Sequence, residues 1–319
     1  MIKEEQKSIQ SGFDETTTAT EVISGIDLNR KIVIITGGHS GIGLKTTKVL
    51  SAAGATIIVG ARDTNKAKEA FAGIENPIIV ELDLSEPASV TSFIDEFRKS
   101  FERCDILINN AGIMATPLLR NSLGYEMQFA TNHLGHFQLT KGLWKELSKS
   151  AARVISLSSL GHRFNGIQFD DPNFMTHSYD KWLAYGQSKT ANSLFAVHLD
   201  EIGRQNGIRA FAVHPGRILA TDLSRFMSEE ERAATANANP SNPKFVPSFV
   251  KSIEQGAATT VWCAVSPQLD NKGGVYCADC NISPVVADDS AQVNGVRRWA
   301  VDTTFAEQLW TLSERLSQQ

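Results

Sequence analysis

From Lys31 onward, short apolar runs alternate with longer segments in which apolar residues recur every three or four positions. KIVIIT at 31–36, ATIIVG at 55–60, PIIVELDL at 77–84, DILINNAG at 105–112, RVISLSS at 153–159 and RAFAVHPG at 209–216 are the runs. Continuous aliphatic and β-branched stretches of this length predict strands buried on both faces. Residues 44–53, 86–101, 125–149, 181–204, 252–264 and 303–316 carry the helical spacing, and a short strand is expected around 275–277. Such alternation predicts an α/β fold, a doubly wound parallel sheet with helices on both faces. Residues 1–30 are polar and read as a loosely held N-terminal arm, and 31–319 as one domain. Within it, residues 217–250 hold three prolines and many small residues, which suggests a flap over a binding site, and the chain ends in a C-terminal tail.

Composition narrows the class. The chain has 319 residues, 42% apolar and 21% charged, which excludes a disordered chain or a fibre. The formal charge of −4 gives no footprint for nucleic acid. Four cysteines in a chain this long suggest a reducing compartment. The polar start MIKEEQKSIQ has no apolar core of a secretory signal, and no stretch reaches the length of a membrane span. A cytoplasmic protein with no membrane partner is therefore expected.

Candidate chemistry falls at the strand ends. Gly37, His39, Ser40, Gly41, Ile42 and Gly43 form a glycine-rich turn between a strand and a helix. There a chain without Cβ atoms can approach a phosphate, and a helix N-terminus offers free N–H groups. Arg62 follows the second strand, where a 2′-phosphate needs a cation, with Lys66 as a helper. NADP(H) is thus favoured, with NAD(H) as the alternative, since Asp63 stands one place further on. Asn109-Asn110-Ala111-Gly112 ends the fourth strand and Ser158-Ser159 the fifth. Tyr185 and Lys189, four apart, share one helix face. Ligands of open α/β sheets bind at the carboxyl ends of strands, so these groups should converge.

The set TGGHSGIG, NNAG, Ser159 and YGQSK, in that order, resembles the short-chain dehydrogenase/reductase family and its Rossmann-type fold. GARD, MQFATNHLGHFQLT, VISLSSLGHRF, YGQSKTAN, VHPG and LWTLSERL place the likeness in the retinol-dehydrogenase-like and WW-domain-oxidoreductase-like branch, for its catalytic domain only. The resemblance implies NAD(P)-dependent interconversion of an alcohol and a carbonyl compound. It implies Tyr185 as acid/base with its pKa lowered by Lys189, Ser159 as donor to the substrate oxygen, and Asn132 as support for a water linked to Lys189. Asp83, Leu84, Asn110, Ala111, Gly112, Pro215, Gly216 and Ile218 would face the cofactor. Thr221 stands five residues after Gly216, one more than the family's usual spacing, which leaves its contact with the nicotinamide open. Other uses of the fold are a dehydratase or epimerase, or a cofactor-binding sensor without turnover. The intact Ser, Tyr and Lys speak against the sensor.

A bulky apolar alcohol or ketone is the expected small-molecule substrate. Phe164, Tyr179 and Trp182 lie between Ser159 and Tyr185, and Ile218, Leu219, Leu223, Phe226 and Met227 follow the Pro-Gly turn. Only Arg163 or Arg217 could clamp an acidic group, and His162 is a candidate for the pocket wall. His133 and His136 read as packing residues. Cys277 and Cys280 lack a second pair and read as packed thiols, so no metal is expected. A homo-oligomer is left open.

Overall fold

The computed structural model describes all residues except 73–76, 237–248, 291, 293 and 319. The strands are β1 (Ile32–Thr36), β2 (Thr56–Ala61), β3 (Ile78–Glu81), β4 (Ile106–Asn109), β5 (Arg153–Leu157), β6 (Arg209–His214), β7 (Val275–Ala278) and β8 (Asn281–Ile282). They form one sheet in the order β3-β2-β1-β4-β5-β6-β7-β8, parallel except for the final β7–β8 pair. The helices are α1 (Ala19–Ile23), α2 (Gly41–Ala52), α3 (Thr64–Ala70), α4 (Pro87–Ser100), α5 (Met127–Phe129), α6 (Gly135–Gly142), α7 (Trp144–Lys149), α8 (Lys181–Gly203), α9 (Glu229–Ala236), α10 (Ile253–Val265) and α11 (Thr303–Ser317). A small parallel ribbon pairs β9 (Val285–Val286) with β10 (Val296–Arg297).

Both faces of the sheet are covered, as the aliphatic runs require. In β1, Ile34 points into a core with Phe93, Phe129 and Phe137. Its neighbours Val33 and Ile35 point the other way, toward Leu50, Val261 and Trp262. This period-2 alternation with apolar residues on both sides is the signature of a central parallel strand. The chain order reverses between β1 and β4, so their carboxyl ends flank a crevice.

Two expectations change. The long helix over 125–149 is three pieces, because residues Ala130–Leu134 form a π-turn and Leu143 interrupts the ladder. Gly135 explains the close approach there: a Cβ on it would lie 2.1 Å from the carbonyl oxygen of Leu84. The arm over 1–30 is held more firmly than its polarity suggests. Lys3 pairs with buried Asp200 at 3.1 Å. The Gln6 amide, itself buried, donates to the carbonyls of Tyr276 and Ser283 and accepts from the Tyr276 N–H. Ala19 and Val22 of α1 join the core under α2 and α10. Of the flap expected over 217–250, residues 237–248 lie outside the described residues; before them come a short turn at Asp222–Phe226 and α9.

Candidate active site

The site is built from strand ends inward. At the end of β1 the Thr36 hydroxyl accepts the backbone N–H groups of Asn110 and Ala111, each at 2.9 Å. Asn110 in turn donates its side-chain amide to the Thr36 carbonyl. The ends of β1 and β4 are thereby stitched together. Gly37 follows at φ +63° and Gly41 at φ +50°, backbone that favours glycine. A Cβ on Gly43 would sit 2.5 Å from the Gly37 carbonyl oxygen, so only glycine lets α2 start this close to the turn. Ser40 caps α2 without a side-chain bond, leaving its first N–H groups facing the crevice.

Ser159 leaves β5 in extended conformation, and its hydroxyl accepts the Gly161 N–H at 3.1 Å. Two glycines that sequence reasoning did not single out then bring it to Tyr185. A Cβ on Gly161 would meet the Tyr185 ring at 2.7 Å, and one on Gly186 would meet Phe164 and Asn165. Lys189 lies one turn on from Tyr185, buried, with Nζ donating to the Leu157 carbonyl at 2.9 Å. Its ammonium sits 5.7 Å from the centre of the Tyr185 ring. Burial pushes the Tyr185 phenol up to about 12, against a smaller lowering by Ser159, and pushes the Lys189 ammonium down to about 8. This corrects the expectation that Lys189 lowers the tyrosine. The ammonium is engaged with a carbonyl beside the ring face, and desolvation of the phenolate dominates.

Asn132 stands in the π-turn, behind the cavity wall. Its side-chain oxygen accepts the Ile113 N–H, and its amide donates to the Ile113 carbonyl and the Ser188 hydroxyl. It therefore clamps the loop after β4 to α8. A Cβ on Gly112 would come 3.2 Å from its oxygen and 3.5 Å from Lys189 Nζ, so Asn132 and Lys189 flank the same glycine. Its carbonyl accepts from His136 Nδ1 at 2.9 Å, and His136 Nε2 lies 2.8 Å from the Thr36 hydroxyl. A carbonyl only accepts, so Nδ1 carries the proton and Nε2 takes the threonine's. His136 thus joins the π-turn to the glycine-loop strand.

These elements enclose a cavity of about 510 Å³. Every residue expected to face a cofactor lines it: Gly37, His39, Ser40, Gly41, Ile42 and Gly43; Arg62; Asp83 and Leu84; Asn110, Ala111 and Gly112; Pro215, Gly216 and Ile218. Ser159, Tyr185 and Lys189 open on the same space. Thr221 also lines it, lying 3.3 Å from where a Cβ on Gly41 would be. The fit to a dinucleotide is chemical as well as spatial. Bare glycine backbone and uncapped α2 N–H groups face one end, and cationic Arg62 and Lys66 line the same cavity. His39 Nδ1 is buried there without a hydrogen-bond partner among the described residues.

The supposed substrate residues divide. Phe164, Trp182 and Met227 pack together with Met114 and Ala115. Ile218 and Leu223 line the cavity. Leu219 and Phe226 are exposed. Tyr179 is taken up elsewhere, its hydroxyl bonded to the Thr116 carbonyl, Glu126 and Gln128. His162 is fully buried and away from the cavity, bridging the Ser159 carbonyl and the Arg297 N–H. Arg163 donates to the Ser290 carbonyl, and Arg217 borders a separate cavity beside Lys251 and Asp279. Cys277 and Cys280 are buried free thiols.

Comparison with known proteins gives the class first. A family model described as short chain dehydrogenase matches residues 31–232, which makes the chain an oxidoreductase by family. The chain belongs to the short-chain dehydrogenase/reductase family, whose members bind NAD(P). It is 37% identical to the short-chain dehydrogenase TIC 32 A, chloroplastic, of Brassica napus, over 97% of this chain and 96% of that protein. It is 35% identical to the WW domain-containing oxidoreductase of Pongo abelii, over 96% of this chain and 73% of the relative. A crystal structure of an uncharacterised protein from Mycobacterium paratuberculosis superposes with a TM-score of 0.71 at 31% identity, covering 93% of this chain and 97% of that one. No helix among the described residues is long and apolar enough to cross a membrane.

Proposed function

We propose that the protein is an NADP(H)-dependent oxidoreductase that interconverts a bulky, largely apolar alcohol and its ketone or aldehyde. The observation that carries this reading is the opening of Ser159, Tyr185 and Lys189 onto the cavity that the glycine turn and Arg62 also line. When bound, the nicotinamide supplies or accepts the hydride. The chain supplies the proton and the orientation. With its phenol held protonated by burial, Tyr185 can give a proton to a carbonyl oxygen as the carbon gains hydride. The Ser159 hydroxyl donates to that oxygen as charge develops. Lys189 places a cation behind the tyrosine ring and toward Gly112, where the nicotinamide ribose would lie. Ile218 and Leu223 on the cavity lining support an apolar substrate wall.

The test is kcat/KM for matched ketones of increasing apolar size with NADPH, on the wild type and on Tyr185→Phe. Rates should rise with apolar size, and the variant should lose turnover while its NADPH Kd stays within about twofold. Preference for small charged keto acids would overturn the substrate class, and a variant that keeps most of its activity would overturn the role of Tyr185.

A further inference from the structure

The adenosine end of the cavity carries more positive charge than Arg62 alone provides. Arg225, from the turn at Asp222–Phe226, lines the same cavity as Arg62 and Lys66. The two arginines come from elements about 160 positions apart in sequence, the end of β2 and the segment after β6. Burial lowers the Arg225 guanidinium, the nearby Arg62 charge adds to that, and Asp222 opposes it. Like charges repel, and of the neighbouring carboxylates Asp222 offsets part of this at Arg225. Asp63 accepts the Lys66 N–H as the cap of α3, and Asp222 pairs with Lys66 Nζ at 3.7 Å. Among the described residues neither Arg62 nor Arg225 forms a close ion pair with a carboxylate.

The Arg225 guanidinium is also held in place. It lies 4.9 Å from the centre of the Phe226 ring and donates to the Asp222 carbonyl at 3.1 Å. Arg232 steadies the turn from behind, donating to the carbonyls of Ser224 and Arg225. The turn itself rests on the glycine loop through Thr221. The held Arg225 guanidinium and the exposed Arg62 on the same cavity can converge on a dianionic phosphate.

We propose that Arg225 closes on the 2′-phosphate of NADP(H) opposite Arg62, so that cofactor choice is shared between the end of β2 and the segment after β6. This rests on the NADP(H) reading given above. It makes the first part of the flap a specificity element for the adenosine end as well as a neighbour of the substrate.

The experiment is calorimetric titration of 2′,5′-ADP and 5′-AMP, which differ by the 2′-phosphate alone, into the wild type, Arg62→Ala, Arg225→Gln and Arg225→Lys. The wild type should bind 2′,5′-ADP more tightly than 5′-AMP. Arg225→Gln should weaken 2′,5′-ADP about tenfold with 5′-AMP unchanged, and Arg225→Lys should fall between. If the wild type does not discriminate, the NADP(H) reading fails and this proposal with it. If the wild type discriminates and Arg62→Ala loses the preference while Arg225→Gln keeps it, this proposal alone is overturned. Equal weakening of both nucleotides by Arg225→Gln would also overturn it, since Arg225 would then be a general wall of the cavity.

Discussion

Lys189 shows how much a single residue's role depends on where it is placed. Spacing alone sets it one helical turn from Tyr185, but burial makes its charge expensive. Its folded-state value near 8 lies below the ordinary 10.5, so between those pH values the unfolded chain holds more protons. Stability from this group therefore rises as pH climbs from 8 to 10.5. A Lys189→Met variant lacks that rise. Thermal unfolding midpoints across this window should climb for the wild type relative to the variant, and parallel curves would show that the lysine titrates normally.

At the scale of elements, the π-turn is what ties the two halves of the site together. The Asn132 carbonyl lies in it, and His136 takes that carbonyl and the Thr36 hydroxyl together. Both groups are buried, and an unpaired buried group costs about 1–3 kcal/mol. His136→Leu should lower unfolding stability by about 2–4 kcal/mol on the same reasoning. Because Thr36 anchors the loop ahead of the glycine turn, the variant should also bind the dinucleotide more weakly. A denaturation midpoint within error of the wild type would show that the bridge contributes nothing.

For the whole molecule, the buried histidines set an acid limit. Burial holds His133 and His162 near 3 and His136 and His214 near 4, against an ordinary 6.5. Unfolding between pH 6.5 and 4 therefore takes up protons, and stability is lost as pH falls through that range. Four such groups give a slope of at most about 5.5 kcal/mol per pH unit. Glu126 opposes them, since burial raises its carboxyl and favours the fold as pH drops. The melting temperature should fall steeply from pH 6.5 to 4.5, accompanied by net proton uptake on unfolding. A flat profile would mean that these imidazoles are already charged in the fold.

The sequence by itself determined the sheet, because continuous aliphatic runs at strand length have no other way to be buried, and it determined the cofactor loop, because the glycines mark backbone that other residues rarely adopt. Through the family resemblance it also marked Ser159, Tyr185 and Lys189, of which only Tyr185 and Lys189 are related by local helical spacing. Tertiary structure alone decided the break in the helix over 125–149, where the π-turn answers to packing against Thr36 and Leu84. It decided that Tyr179 and His162 serve the scaffold, since the partners that occupy them come from distant segments. It placed the polar arm against Asp200 and Tyr276, contacts that no local pattern encodes. It also brought Arg225 to Arg62, since charges so far apart along the chain meet only when α/β winding returns the segment after β6 to the glycine loop.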